Sequence, residues 1–76
     1  MVNYNLNHEI YEKSSLEKAI KDYSSYCSIK TLHADKNNTE IEIILKEEYK
    51  KDSEQIKNEF LNYVLDLSIK NNFEIN

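Results

Sequence analysis

His8 and His33 are the two imidazoles of the sequence that could act as bases or metal ligands, and Cys27 is its one thiol nucleophile. Glu9 follows His8, and Asp35 stands two residues after His33, so each imidazole has a carboxylate close by in sequence. No spacing among these residues matches a known metal-binding motif. We therefore expect two surface strand histidines, with no metal site and no cofactor.

Cys27 ends an apolar stripe that begins at Leu16, and a cysteine in such a stripe is most often a small buried hydrophobe. A nucleophilic thiolate needs a base and a third group that orients the base, and the neighbouring sequence supplies neither. The single cysteine also excludes an internal disulfide framework and a multi-cysteine metal site within one chain. We expect an inert thiol and a protein that is not an enzyme.

Tyrosine is abundant, with six residues in the chain. Tyr4, Tyr23 and Tyr63 fall on predicted core faces, whereas Tyr26 and Tyr49 are better candidates for exposure. Stacking on single-stranded nucleic acid requires a basic groove as well as aromatic rings. Here 10 lysines are interleaved with 14 acidic residues, and the net charge is −4. The sequence therefore argues against a nucleic-acid partner.

The composition excludes several function classes. The 76 residues include no Gly and no Pro, and every basic residue is Lys. Without Gly there is no phosphate-binding loop, no dinucleotide-binding turn and no EF-hand. The mean hydropathy of −0.77 and the short apolar runs argue against a membrane span, and the first residues do not resemble a secretory signal. One free cysteine without an export signal favours the cytoplasm. A chain of this size buries only about 60% of its unfolded surface, which makes help from a partner chain plausible.

The first half of the chain predicts a strand, a helix and a second strand. Apolar and polar residues alternate from Val2 to Asn7, as in a half-buried strand, and Ile10-Tyr11 is expected to extend it past a bend. Ser14 and Glu17 have the spacing of a capping box, which predicts a helix from about Ser15 to Tyr26. The pattern then predicts a strand over Ser28 to Ala34.

The second half predicts a hairpin followed by a long helix. Asn37-Asn38 is expected to adopt positive φ in a tight turn, since Asn is the best substitute for Gly there. Thr39 to Lys46 is the strand with the highest β-propensity, and Glu47 to Lys51 is a charged connector. The last helix is predicted to begin at an Asp52 cap with Gln55 at its third position and to end near Lys70, before a left-handed Asn71-Asn72 cap. Residues 1–76 thus predict a single small α+β domain of order β-α-β-β-α, with a mainly antiparallel three-stranded sheet and both helices on one face.

The last helix carries two apolar stripes. The wider one suits a core face: Ile56, Phe60, Tyr63, Val64 and Leu67. A second ridge lies roughly opposite and consists of Leu61, Leu65 and Ile69. This ridge either packs against the first helix or under the tail residues Phe73 and Ile75, or it forms an interface with a second copy or a larger protein.

Several segments resemble a family of small bacterial proteins. They are Ser15-Leu16-Glu17-Lys18-Ala19-Ile20, the Ser28-Ile29 strand start, the Glu-rich hairpin and Asn58-Glu59-Phe60-Leu61-Asn62-Tyr63-Val64-Leu65-Asp66. Together they resemble the D component (HxsD) of the His-Xaa-Ser peptide-maturation systems. Relatives tend to have Leu-Arg where this chain has Ile69-Lys70, and Lys lacks the bidentate fork of Arg. That departure puts a carboxylate-binding role at this position in doubt.

The resemblance implies an accessory role. Such proteins are encoded beside radical S-adenosylmethionine enzymes that modify a ribosomally made precursor with His-Xaa-Ser repeats, and they lack cluster-binding cysteines, as this chain does. The implied function is non-catalytic docking on the modifying enzyme or the precursor. From the helix geometry we place the contact on Leu61, Asn62, Leu65, Asp66, Ile69 and Lys70. The alternative is a self-associating structural or regulatory protein that dimerises through the C-terminal helix. A third hypothesis is a small enzyme, which would need a pocket that joins His8 or His33 to carboxylates.

Overall fold

The computed structural model describes residues 2–73 and has the element order predicted from the sequence. The strands and helices are β1 (Val2–Asn7), α1 (Lys13–Asp22), β2 (Cys27–Ala34), β3 (Asn38–Leu45), a short 3-10 helix (Glu47–Asp52) and α2 (Ser53–Phe73). The three strands form one sheet and α1 packs against α2. The α+β prediction with a three-stranded antiparallel sheet and two helices is confirmed.

The sheet has the strand order β1-β3-β2, with β3 antiparallel to both neighbours. β1 and β2 therefore run parallel to each other on the two sides of β3, which is a split β-α-β arrangement. Ile43 pairs with Val2 on one side and with Ile29 on the other, so β3 is the central strand of the core. Its alternation is as predicted, because Ile41 and Ile43 are buried whereas Ile44 is 41% exposed.

The register of β2 changes near its end. Thr31 pairs with Ile41, but His33 pairs with Glu40, so Leu32 is an extra residue between them. This β-bulge leaves Leu32 43% exposed and bends the outer edge of β2.

The core lies between the sheet and the two helices. Its buried apolar residues are Leu6, Leu16, Ala19, Cys27, Ile41, Ile43, Leu45, Ile56, Phe60 and Val64. Phe60, on α2, is the largest of those without measurable exposure, and its ring meets the ring of Tyr23 edge-on at 5.5 Å. The predicted core stripe of α2 is therefore correct at Ile56, Phe60 and Val64, while Tyr63 and Leu67 are half-buried at its margin.

Helix α1 begins earlier than the capping-box pattern predicts, and Ser14 is not its cap. The N-cap is Glu12, whose carbonyl accepts the first helical bond from the Leu16 N–H at 2.9 Å. The Glu12 N–H donates instead to Ser68 Oγ of α2 at 2.8 Å. The Glu12 carboxylate accepts bonds from the Asn71 amide and from the hydroxyls of Ser14 and Ser15, which holds the pKa of Glu12 below its usual value. A long-range contact thus sets the start of α1.

Two expected extensions are also wrong. Helix α1 ends at Asp22 rather than near Tyr26, and Cys27 begins β2 instead of closing the helix. At the end of β1, the N–H groups of Ile10 and Tyr11 both donate to the Asn7 carbonyl, which makes a turn and leaves Ile10 56% exposed. The strand therefore ends at Asn7.

The turns close without left-handed residues. Between residues 2 and 73 no residue has a positive φ, so the expected left-handed conformations of Asn37-Asn38 and Asn71-Asn72 are wrong. In the hairpin, one carboxylate oxygen of Asp35 accepts the N–H groups of both Asn37 and Asn38 at 2.8 Å. The side chain of Asp35 therefore satisfies the turn amides that a glycine turn would arrange through its backbone.

Helix α2 is longer than expected and is not opened by a capping box. It continues through Phe73 instead of stopping at Lys70. The Gln55 side-chain amide donates to Glu59 at 3.3 Å rather than reaching back to the helix start. The preceding connector is ordered as the 3-10 helix Glu47–Asp52.

Candidate functional site

One flank of α2 presents the second apolar ridge, formed by Leu61, Leu65 and Ile69; we call it the outer flank. Leu61 and Leu65 are half-buried, and Leu61 packs against the edge of the core. Ile69 is 52% exposed. Exposure thus increases along the flank toward the end of the helix, and the apolar strip is only partly covered.

The outer flank faces away from the end of α1 but not from its start. The opposite side of α2 contacts α1 through Tyr63, whose hydroxyl donates to Asp22 at 2.6 Å and whose ring lies 5.6 Å from that of Tyr23. Leu65 follows Tyr63 by two residues, which is about 200° around the helix. Ser68, however, lies seven residues after Leu61 on the same face of α2 and accepts the Glu12 N–H at the start of α1, so the interpretation that the ridge packs against the first helix stays open there.

The position of α1 indicates which side of the sheet α2 covers. A cavity of about 130 Å³ between α1 and the sheet is lined by residues of α1, of β2 and of the central strand β3, among them Leu16, Thr31 and Thr39. Helix α1 therefore covers the β2 side of the sheet. Since the two helices pack against each other, we infer that α2 lies over the β1 side of the sheet, with its outer flank toward β1.

The two edges of the sheet differ in chemistry. Among residues 2–73 no strand pairs with the outer edge of β1, and β1 contains no charged residue. The other edge, on β2, carries Lys30 and the β-bulge at Leu32, both of which hinder pairing with another strand. The β1 edge lacks these protections. Its core-facing side chains, Tyr4 and Leu6, are half-buried and buried respectively.

The polar residues that we placed in the contact lie on the exposed back of α2. Asn62, Asp66 and Lys70 are all exposed and follow one another at helical spacing of four. They border the outer flank on its solvent side. Phe73 and Ile75 are the tail residues expected to cover the ridge. Ile75 and the side chain of Phe73 are not among the parts of the chain that the structure describes.

The histidines have structural surroundings. His8 Nε2 lies 2.7 Å from Thr39 Oγ1 and Nδ1 lies 3.1 Å from the Lys36 carbonyl, so the half-buried ring ties the end of β1 to the hairpin. His33 is exposed on β2, with its Nε2 3.5 Å from an Asp35 carboxylate oxygen. Across residues 2–73 there is no group of three or more His, Cys, Asp or Glu side chains that could hold a metal ion. Neither His8 nor His33 therefore belongs to such a group.

Cys27 is 2% exposed, and its thiol points to the Tyr23 carbonyl at 3.6 Å. Burial raises the pKa of the Cys27 thiol, and the charge of Lys46 only partly opposes this. The expected buried position is confirmed, although the residue lies on a strand. The thiolate that would react as a nucleophile is therefore disfavoured by its surroundings.

We expect native protein at neutral pH to resist alkylation of Cys27 by iodoacetamide, while protein unfolded in urea is modified to completion under the same conditions. Intact-mass spectrometry at successive times measures both rates, and the urea sample controls for reagent activity. Equal rates in the two samples would show that the thiol is accessible in the folded state.

The tyrosines form a cluster that sequence spacing alone does not reveal. Tyr4, Tyr23 and Tyr63 pack against the core as predicted, and Tyr26 is 41% exposed. Tyr49, expected to be exposed, is half-buried because its ring packs edge-on against Tyr26 at 5.2 Å. The only sequence signal for this contact is the placement of both residues next to predicted helix ends.

Comparison with known proteins adds no identification: the chain matches no protein-family model, no curated protein and no solved structure. Within residues 2–73, neither helix combines the length and apolar content that a bilayer-crossing segment requires. The functional conclusion therefore rests on the surface of the molecule itself.

Proposed function

We propose that this chain is a non-catalytic accessory protein that binds an extended segment of a protein partner along the edge of β1 and the outer flank of α2. The observation that carries this proposal is the free, uncharged edge of β1, together with an apolar strip on α2 that is only partly covered. Neither feature requires a catalytic group.

An extended peptide satisfies both features at once. Its backbone pairs with the outward N–H and C=O groups of β1, as in other cases of strand addition. Because side chains alternate along a strand, every second peptide side chain then points to the same side as Tyr4 and Leu6. Apolar residues at those positions would pack on Leu61 and Leu65 and remove their remaining surface from water. Alternate apolar residues are thus the recognition pattern that we propose.

The resemblance to the D component of His-Xaa-Ser systems suggests which partner supplies the segment. A ribosomally made precursor is a flexible chain before its modification and can enter as a strand, so we propose the precursor first and the radical S-adenosylmethionine enzyme second. Asn62 and Asp66 border the outer flank and would contact polar groups of the partner at the rim of the interface. Lys70 offers a point charge rather than the Arg fork of the relatives.

Photo-crosslinking tests this function in the native cell. Leu65 is replaced by p-benzoyl-phenylalanine, and the matched control carries the same group at Ser24, an exposed residue of the turn after α1. We expect crosslinks from position 65 to a peptide precursor or to a radical enzyme encoded nearby, and none of these from position 24.

The remaining outcomes discriminate between the alternatives. Crosslinks from position 65 only to a second copy of the chain would favour the homodimer through the C-terminal helix and overturn the accessory function. The same partners captured equally from both positions would show that the outer flank has no special role.

A further inference from the structure

A second concave feature lies on the other flank of α2, where the turn after α1 and the 3-10 helix meet the start of α2. It is a cavity of about 270 Å³, smaller than the usual site of a drug-sized ligand. Its lining residues are Tyr23, Tyr26, Tyr49, Asp52, Gln55, Ile56 and Glu59. We call it the tyrosine pocket.

Three aromatic rings form its walls. The ring centroid of Tyr26 lies 5.2 Å from that of Tyr49 at an interplanar angle of 71°, and 5.8 Å from that of Tyr23 at 58°. The rings are therefore strongly inclined to one another instead of stacked. Tyr23 is held from behind by Phe60, which it meets at 80°, so this wall is anchored in the core. Inclined rings around a small space present more than one π surface to a bound group.

The charges at the rim are negative. Asp52 and Glu59 both line the pocket, and no lysine does so. The Gln55 amide donates to Glu59 at 3.3 Å and helps to hold its carboxylate at the rim. Burial, and then the charge of Glu59, raise the pKa of Tyr23 above its usual value. The base of the pocket includes Ile56, which is 8% exposed.

We propose that the tyrosine pocket binds an organic ammonium group, such as a methylated ammonium head or a lysine side chain. Aromatic faces attract cations through their quadrupoles, and the two carboxylates add a longer-range attraction of the same sign. An anion would meet two like charges without a cationic partner. A hard metal ion needs several oxygen ligands, whereas most of the walls here are rings. A compact cation with apolar substituents fits both the rings and the rim.

This site is separate from the docking surface. The pocket contains Glu59, on the side of α2 that faces α1, whereas Leu65 lies on the outer flank. The proposal of ammonium binding in the tyrosine pocket can therefore be tested independently of the proposal of a peptide partner.

Paired ligands test the proposal without any mutation. Choline and 3,3-dimethylbutan-1-ol have the same shape and the same hydroxyl, but only choline is charged. Titration followed by amide and tyrosine-ring chemical shifts should show choline binding at least about fivefold more tightly, with the shifts centred on Tyr26 and Tyr49. Equal affinities, no binding of choline, or shifts elsewhere would overturn the proposal.

Matched variants then test the two parts of the pocket. Glu59→Gln should weaken choline binding several-fold, while Glu54→Gln, an exposed change on the same helix outside the pocket, should not. Tyr49→Phe should retain binding and Tyr49→Leu should lose most of it, because only the former keeps the ring. An unchanged thermal midpoint confirms that each variant is folded. If Glu59→Gln and Glu54→Gln behave alike, the charge argument is wrong.

A final comparison identifies the source of the cation. Nα-acetyl-lysine methylamide and its trimethyl-lysine counterpart are titrated beside choline. Tighter binding of either lysine ligand than of choline would point to a protein side chain, and the reverse to a free quaternary ammonium compound. Failure of all three to bind would overturn the site.

Discussion

The variant Phe60→Ala is expected to lose about 3–5 kcal/mol of folding free energy, the largest loss from any change proposed for this chain. Phe60 has no exposed surface and meets both the sheet core and the Tyr23 ring. Truncation leaves a cavity at the centre of the interface between α2 and the sheet. It also removes the support behind one wall of the tyrosine pocket.

The loss expected for Phe60→Ala is large relative to the total folding free energy of the domain. A domain of this size has a stability of about 4–11 kcal/mol, so Phe60→Ala should approach the limit of a populated folded state. Urea titration followed by circular dichroism measures the change, and Phe60→Leu, which keeps most of the volume, is the control with a smaller loss. A midpoint for Phe60→Ala equal to that of the unchanged protein would mean that α2 is not packed as described.

The second large effect concerns binding rather than folding. Leu65→Lys should weaken capture of the crosslinked partner by about 30-fold or more, the scale of a central interface residue. Leu65 is only half-buried in the free chain, and a lysine stem can lie along the same surface with its ammonium in water, so folding should change little. The loss arises because the bound segment would cover the new charge.

Isothermal titration of the purified partner measures the effect of Leu65→Lys, and a thermal melt reports on folding. Glu54→Lys is the matched control, because it introduces the same side chain on an exposed part of the same helix. Similar affinities for Leu65→Lys and the unchanged protein would remove the outer flank from the interface.

The sequence pattern is sufficient to predict the fold class, for identifiable reasons. The alternation of Val2, Tyr4 and Leu6 and that of Ile41, Ile43 and Leu45 are strong period-two signals, and both strands form as predicted. The core stripe of α2 is likewise a local, periodic property. Each of these signals needs only neighbouring residues and a single buried face.

Element boundaries were less predictable because distant residues set them. The start of α1 depends on Ser68 and Asn71, which lie more than fifty residues later. The hairpin turn depends on which group satisfies its amides, and the Asp35 carboxylate does so where positive φ at the asparagines was expected. Local propensity does not contain this information.

The sequence predicts only part of the candidate site. The ridge of Leu61, Leu65 and Ile69 follows from helical spacing, but the free edge of β1 depends on the strand order β1-β3-β2. The tyrosine pocket was not predicted, because Tyr23, Tyr26 and Tyr49 meet only when the turn after α1 folds against the 3-10 helix. The sequence shows the types of these residues but not that they lie close together in the folded chain.

Hydrogen exchange of the β1 amides with and without the captured partner is the most direct test of strand docking. Because one side of β1 is already paired with β3, the outward-pointing amides between Asn3 and Asn7 are the ones that can gain a new bond. We expect these amides to exchange more slowly in the complex, together with smaller changes around Leu61 and Leu65. Unchanged exchange along β1 in a saturated complex would contradict strand addition at this edge.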